Sequence, residues 1–264
     1  IKAKLLWQPE SIPELTARFD LVHKTQEGPY ISSVNPTGET YTATLADDSN
    51  GEQVGHRISD SEMNAVIANI EYEFSHEVLG TLVGSVSESD NKYYHNADDY
   101  PFKGNWEQKN ISLEGRLNIE REESAFKTML GASVISDDAD IHNFDVNQDG
   151  SYSSDYYKGT TETITTSLFG ESIYQMTDKL SLNFGGRIEN EAQTRDATFF
   201  STEGLSDSDI NNTYLLPKVG VSYIVSDSTT VGLDFRQGYT PGGQAFERQE
   251  DKDETYEYDE EYVN

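Results

Sequence analysis

The lengths of the connections between its alternating segments constrain this chain more than any single motif. Ile111, Leu113, Gly115, Leu117 and Ile119 alternate with Ser112, Glu114, Arg116, Asn118 and Glu120, an apolar face against a polar one. Val66, Ala68, Ile70, Tyr72 and Phe74 do the same against Ile67, Asn69, Glu71 and Glu73, and Leu180, Leu182, Phe184, Gly186 and Ile188 repeat the pattern. Less regular segments at 2–7, 15–24, 78–87, 126–134, 164–174, 214–225 and 229–239 bring the total to about ten predicted strands. Short connections near 8–13, 75–77, 121–124, 176–179 and 226–228 take turns with long polar ones at 25–60, 88–105, 137–158, 192–212 and from 240 onward. Strands of about 9 to 11 residues, with tight turns at one end and extended loops at the other, predict an all-β, antiparallel up-and-down transmembrane barrel. A soluble sandwich or solenoid alternates as well, but gives no reason for the connections to alternate in length.

Composition decides what else is excluded. No run approaches the roughly 18 consecutive apolar residues of a membrane helix, whereas barrel strands show lipid only every second residue. With 48 acidic against 19 basic residues the net charge is −29, which repels nucleic acid and supplies no phosphate-binding stripe. The 11% aromatic content argues against an acidic disordered chain. Cysteine is absent, and with it disulfides, thiolate metal sites and a cysteine nucleophile. The start at Ile1, without an initiator Met or an apolar leader, reads as a segment of a longer protein. Trp7, Tyr72, Phe74, Phe126, Tyr174 and Tyr223 fall beside the short turns, where an interfacial girdle belongs.

A resemblance enters in the last third. Leu215-Leu216-Pro217-Lys218-Val219-Gly220-Val221-Ser222-Tyr223 is followed by a Ser226-Asp227 turn and then by Leu233-Asp234-Phe235-Arg236-Gln237-Gly238-Tyr239-Thr240-Pro241-Gly242-Gly243. This resembles the barrel of TonB-dependent outer-membrane receptors, in which a Leu-Pro-Lys-hydrophobic-Gly strand precedes a hairpin and a Gly-Tyr-Arg-x-Gly-Gly segment. Lys179-Leu180-Ser181-Leu182-Asn183-Phe184-Gly185-Gly186-Arg187-Ile188-Glu189 looks like the family's preceding strand. Thr240 replaces the family's usual Arg, and Gln237 stands where a basic residue is common. The resemblance implies that residues 1–264 are part of a barrel of about 22 strands. The plug domain and the closing strands would lie outside this chain. It further implies a receptor in the outer membrane of a Gram-negative bacterium, set in lipid and lipopolysaccharide. That receptor would import a scarce ligand, with a ferric siderophore leading, on energy from the TonB-ExbB-ExbD complex, and would not be an enzyme. A carbohydrate, haem or cobalamin transporter and a passive porin are the alternatives.

Candidate site residues follow from the pattern. Glu71, Glu73, Glu114, Arg116, Glu120, Arg187, Glu189, Asp234 and Arg236 alternate onto the lumen face, and Arg187 and Arg236 are the candidates for an anionic chelate. Tyr93, Tyr94, Tyr100, Trp106, Tyr156, Tyr157 and Tyr239 gather near the loop ends, where rings either stack on a catecholate or sugar or anchor at the membrane interface. Asp145-Val146-Asn147-Gln148-Asp149-Gly150 matches the first half of a calcium loop, with Asp145, Asn147 and Asp149 as ligands, although Tyr156 stands at the twelfth position and Asp155 one place early. No protein-bound cofactor is otherwise implied. His23, His56, His76, His95 and His142 lack metal-ligand spacing, and no local motif assembles a hydrolase.

Overall fold

The computed structural model describes residues 1–29, 56–96, 102–147, 151–199, 207–248 and 253–263. Ten strands form one antiparallel sheet in which each pairs with its chain neighbours. They are β1 (Lys2–Trp7), β2 (Leu15–Pro29), β3 (His56–Ser75), β4 (Val78–Asn96), β5 (Phe102–Glu120), β6 (Phe126–Val146), β7 (Tyr152–Gln175), β8 (Leu180–Phe199), β9 (Ser208–Ser226) and β10 (Thr229–Arg236). Beyond them, β11 (Gly238–Thr240) pairs with β14 (Glu261–Val263) and β12 (Gly243–Arg248) with β13 (Asp253–Tyr258). No described helix is long and apolar enough to cross a membrane. The order is the up-and-down sheet expected, and it stays open, with β1 and β10 each having one neighbour in it.

The register shows why the apolar residues alternate. Directly opposed residues share a face, and one row runs Trp7, Ala17, Ile70, Leu82, Gly115, Ala132, Leu168, Ile188, Leu215 from β1 to β9. Nothing polar interrupts it. Leu82, Leu117, Leu130, Leu168, Ile188, Leu215 and Val219 stand exposed on this face, as do Val221, Leu233 and Phe235. An apolar surface spanning ten strands is far larger than a soluble protein tolerates, and matches the lipid-facing band of a barrel. The band also drifts across the rows. On β2 to β5 it reaches the Leu21, Val66, Val86, Ile111 row, whereas on β8 to β10 it has slid to Phe184, Val219, Phe235 and to Leu182, Val221, Leu233. A horizontal membrane crossing tilted strands produces this stagger.

Along β9 the side chains of the opposite face are the less exposed at alternate positions, with Tyr214 and Gly220 buried, so that face is the concave one. It is laced by hydrogen bonds and ion pairs along strands and across them. Ser85 meets Ser112 at 2.7 Å and Ser133 meets Ser167 at 2.7 Å, while Lys218 reaches both oxygens of Glu171 at 2.8 and 2.9 Å. Arg18 pairs with Glu71 at 2.7 Å and Arg116 with Glu114 at 2.5 Å. A lumen wall is polar for this reason, since each crossing strand must satisfy its inward groups away from lipid.

The short connections are closed by hydroxyls. Thr177 Oγ1 accepts the backbone N–H of Lys179 at 3.3 Å and of Leu180 at 3.0 Å, and Ser124 Oγ accepts that of Phe126 at 3.0 Å. Around these turns the expected girdle is present. Phe126 stacks on Tyr174 at 4.7 Å and meets Phe184 edge-on at 6.5 Å, and Tyr72 meets Phe74 edge-on at 4.9 Å.

At the other end the strands run well past the expected loop starts. β3 to β9 are 19 to 24 residues long, against the 9 to 11 or so that cross a bilayer. Much of the 88–105, 137–158 and 192–212 connections is therefore sheet, leaving β6 and β7 joined through 147–151. Beyond the lipid band both faces are polar, so apolar alternation stops while the backbone ladder continues.

The facing predicts an asymmetric response to charge at one depth. In the full-length receptor refolded reversibly into lipid, Leu117→Arg should lose ~2 to 4 kcal/mol, and Asn118→Arg, its neighbour on the lumen face, about 1 kcal/mol or less. Equal losses in denaturant titrations would contradict the facing.

Candidate functional site

The site is built where strands leave the lipid band, on the concave face. Pro217 starts its construction. Its carbonyl accepts the N–H of Gln237 at 3.0 Å, but on the same side it has no N–H to return, so the β9–β10 ladder ends there. The chain then departs from β9, and Tyr239 turns onto the lumen face against Tyr214, ring centroids 3.6 Å apart and 19° from parallel. Tyr214 is 1% exposed. The Tyr239 hydroxyl donates to Glu189 at 2.5 Å and lies 3.2 Å from Glu191. Glu189, itself buried, pairs with Arg187 Nε at 2.5 Å. Arg187 also reaches Ser133 at 3.5 Å and stands 5.4 Å from the centre of the Phe169 ring. Its guanidinium is thus already engaged by the wall.

Glu191 lies just above the lipid band on β8. Burial raises its carboxyl above the ordinary value and the nearby Glu189 adds to this, while the Tyr239 hydroxyl opposes both. Burial first, and then the hydrogen bond to Glu189, keep the Tyr239 phenol well above its usual range, so it serves as a donor.

Higher on the wall, side chains of adjacent strands converge. Gln108 Nε2 donates to both oxygens of Asp137 at 2.9 and 3.1 Å, and Asn110 Nδ2 donates to one at 3.2 Å. Trp106, on the same face of β5, is 43% exposed. Tyr93 lies across Gly104 on β5, where a Cβ would strike its ring, and its hydroxyl donates to Asn143 on β6. Tyr157 reaches over Gly159, where a Cβ would stand 2.9 Å from its hydroxyl oxygen. Both glycines make room for a ring against the wall.

The candidate residues therefore separate by face. Tyr93, Trp106, Tyr157, Arg187, Arg236 and Tyr239 are on the lumen side. Tyr94 faces outward, with Lys103 Nζ 5.4 Å from its ring centre, because neighbours in a strand point oppositely. Tyr156 is the extra residue of a bulge opposite Asn143 and Phe144 and is exposed. Tyr100 and Asp149 lie outside the described residues. Asp145 and Asn147 stand at the β6–β7 tip, where Ser154 donates to Asp145 at 3.4 Å and Asn147 Nδ2 donates to Ser151 Oγ at 2.9 Å. On the outer face of that hairpin His142 sits 2.7 Å from Asp155, and this hydrogen bond holds the Asp155 carboxyl below its ordinary range. No group of three or more His, Cys, Asp or Glu able to hold a metal occurs among the described residues. Gln108, Asn110, Asp137 and Glu191 were not singled out by the sequence reading, and Tyr214 was read there only as one of the aromatics at the loop ends. A signal for the first two existed, since uncharged Trp106, Gln108 and Asn110 alternate with charged Glu107 and Lys109.

Comparison with known proteins decides the family. The model described as TonB dependent receptor-like, beta-barrel matches residues 10–252. The chain belongs to that family. Among solved structures it is similar to the ferric yersiniabactin uptake receptor FyuA from Yersinia pestis, with a TM-score of 0.77 at 11% identity over 99% of this chain and 40% of that one. The ferric preacinetobactin receptor BauA from Acinetobacter baumannii gives 0.69 at 13% identity, covering 99% of this chain and 42% of that one. The ferric-catecholate import receptor Fiu from E. coli K12, in its open form, gives 0.67 at 11% identity, covering 92% and 47%. At these identities the likeness is one of fold, and the chain spans less than half the length of each. The family is one of transport receptors of the Gram-negative outer membrane.

The Glu191 environment predicts a pH effect. A carboxyl whose folded value is raised contributes stability below its unfolded value and loses it as pH rises through the folded one. Glu191→Gln should therefore be indistinguishable from the native receptor in acid and more thermostable above that range. A stability difference independent of pH would contradict the assignment.

Proposed function

We propose that the parent protein is an energised importer that captures a ferric siderophore outside the cell and passes it inward unchanged. The observation that carries this reading is the family match over 10–252, on a sheet whose outer face is a lipid band and whose concave face is a hydrogen-bonding wall. FyuA is a ferric yersiniabactin uptake receptor, BauA a ferric preacinetobactin receptor and Fiu a ferric-catecholate import receptor, which supports a ferric chelate as the cargo. The TonB-ExbB-ExbD complex would act through a plug domain in the lumen, and lipid with lipopolysaccharide would cover the outer band. The described part of the lumen wall offers aromatic rings, hydroxyls and amides that can hold a solute.

Cells carrying the full-length receptor should take up ferric siderophore only with TonB and a membrane potential, and still bind it when either is removed. Large steady ionic conductance of the purified protein in planar bilayers, without an energy source, would replace the importer with a pore.

On the Asp145, Asn147, Asp149 spacing we also propose calcium at the β6–β7 tip. Millimolar calcium should thus add protease resistance at 145–150, and Asp145→Ala with Asp149→Ala should abolish the gain. Indifference to calcium and to chelator would leave a plain turn.

A further inference from the structure

Beyond Arg236 the chain leaves the barrel sheet and doubles back on itself. β11 and β12 run out, β13 and β14 run back, and the two pairs form small sheets separate from the ten-stranded one. Residues 238–248 and 253–263 thus make a ribbon that lies against β9 without joining its backbone ladder. Tyr239 fastens this ribbon to the wall, through its ring on Tyr214 and its hydroxyl on β8.

The fastening has an unbalanced proton count. The Tyr239 oxygen lies 2.5 Å from Glu189 Oε1 and 3.2 Å from Glu191 Oε2. A phenol carries one proton, and the closer acceptor takes it, while the other Glu189 oxygen meets Arg187 Nε at 2.5 Å. Glu191 is left facing an oxygen lone pair. Ionised, it repels that oxygen and the Glu189 carboxylate alike; protonated, it donates a hydrogen bond to the phenol oxygen. The seat is complete only with one proton more than the phenol brings.

The groups around Glu191 offer little to replace that proton. Thr163, Thr165 and Ser167 face it from β7 and Asn212 and Tyr214 from β9, while Glu260 and Tyr262 of the ribbon approach Tyr214. Of the inward cations on the nearby strands, Arg187 pairs with Glu189 and Lys218 with Glu171. Arg195 acts on Tyr157, higher on the wall, and Arg236 stands opposite Lys218, below the seat. We propose that Glu191 is a proton-operated latch: protonated, it seats Tyr239 and holds the ribbon on β9 at the lumen mouth; ionised, it frees Tyr239 and the ribbon swings off the wall.

The direction in pH follows. Burial, with Glu189 adding to it, raises the seated Glu191 carboxyl above its ordinary value, and release returns it toward that value. The ratio of released to seated ribbon is therefore flat in acid, rises about tenfold per pH unit between the ordinary glutamate range and the raised seated value, and levels off above it. No ligand enters this equilibrium, so it stands whatever the receptor imports.

Pulsed spin-resonance distances in the full-length receptor in outer membrane test the latch, once any cysteine elsewhere is replaced. One nitroxide goes at Tyr256 on β13 and one at Thr194 on the outward face of β8, both exposed. One distance population is expected in acid, with a second growing at its expense as pH rises. Glu191→Gln, whose amide donates to the phenol oxygen at any pH, should keep the first population throughout. Tyr239→Phe, which keeps the ring stack, should show the second even in acid. Glu260→Gln and Glu162→Gln should leave the transition in place. Distances in the native receptor that ignore pH, or a Tyr239→Phe ribbon that stays seated in acid, overturn the latch. A transition that survives in Glu191→Gln or vanishes in Glu260→Gln overturns its assignment to Glu191.

Discussion

In hydrocarbon a strand has no water to satisfy its N–H and C=O groups, so each residue that crosses must be matched by a neighbouring strand. From that requirement the rest of this structure descends. Pairing in chain order is the simplest way to meet it, and β1 to β10 pair in that order along their length. Pairing fixes register, register fixes facing, and facing obliges every second residue to be apolar. The row from Trp7 to Leu215 is the result. Its oblique drift across the sheet is the same constraint seen from outside, since a band parallel to the membrane must cut tilted strands at successively different residues.

The same ladder explains why the sheet continues where the lipid stops. Once two strands are in register, extending them satisfies further backbone groups at little added cost in loop closure, and the side chains are freed from the apolar rule. On β4 and β5 they then differ between the faces, with Glu88, Asp90, Glu107 and Lys109 outside and Ser87, Ser89, Trp106, Gln108 and Asn110 inside. The result is a tall wall, with Trp106, Gln108 and Asn110 held on regular strand where rotamers are set by neighbours. A binding surface on paired backbone is better ordered than one on a free loop. Where the ladder is interrupted the chain uses the break. Pro217 withholds one N–H from β10, and Tyr239 is thereby released to stack on Tyr214 and cap the Glu189–Arg187 pair.

Much of this was legible in the residues. Strand number, order and the lipid-facing positions of β3, β5 and β8 follow from apolar alternation, because lipid imposes it without exception over that depth. The extents of the strands did not follow, for the criterion was apolar against polar, and 87–93 has no apolar residue to alternate until Tyr93. Charged against uncharged would have revealed it. Tyr93 with Tyr94, and Tyr156 with Tyr157, read as one aromatic cluster when placed in a loop. Once the segment is strand, Tyr93 and Tyr94 must part to opposite faces, and only the register tells which goes inward. The stacking of Tyr239 on Tyr214 depends on a chain path after a proline break, which no local pattern encodes.

The central claim is that one continuous sheet separates lipid from lumen at every second residue. This chain has no cysteine, so once any cysteine elsewhere in the full-length receptor is replaced, single cysteines can be placed from Ile111 to Ile119 and spin-labelled in native outer membrane. Collision rates with oxygen, which concentrates in lipid, and with a polar nickel chelate, which does not, then report the facing. The account predicts oxygen maxima at Ile111, Leu113, Gly115, Leu117 and Ile119, with nickel maxima at Ser112, Glu114, Arg116 and Asn118. Profiles in phase with each other, or without a period of two, would contradict it.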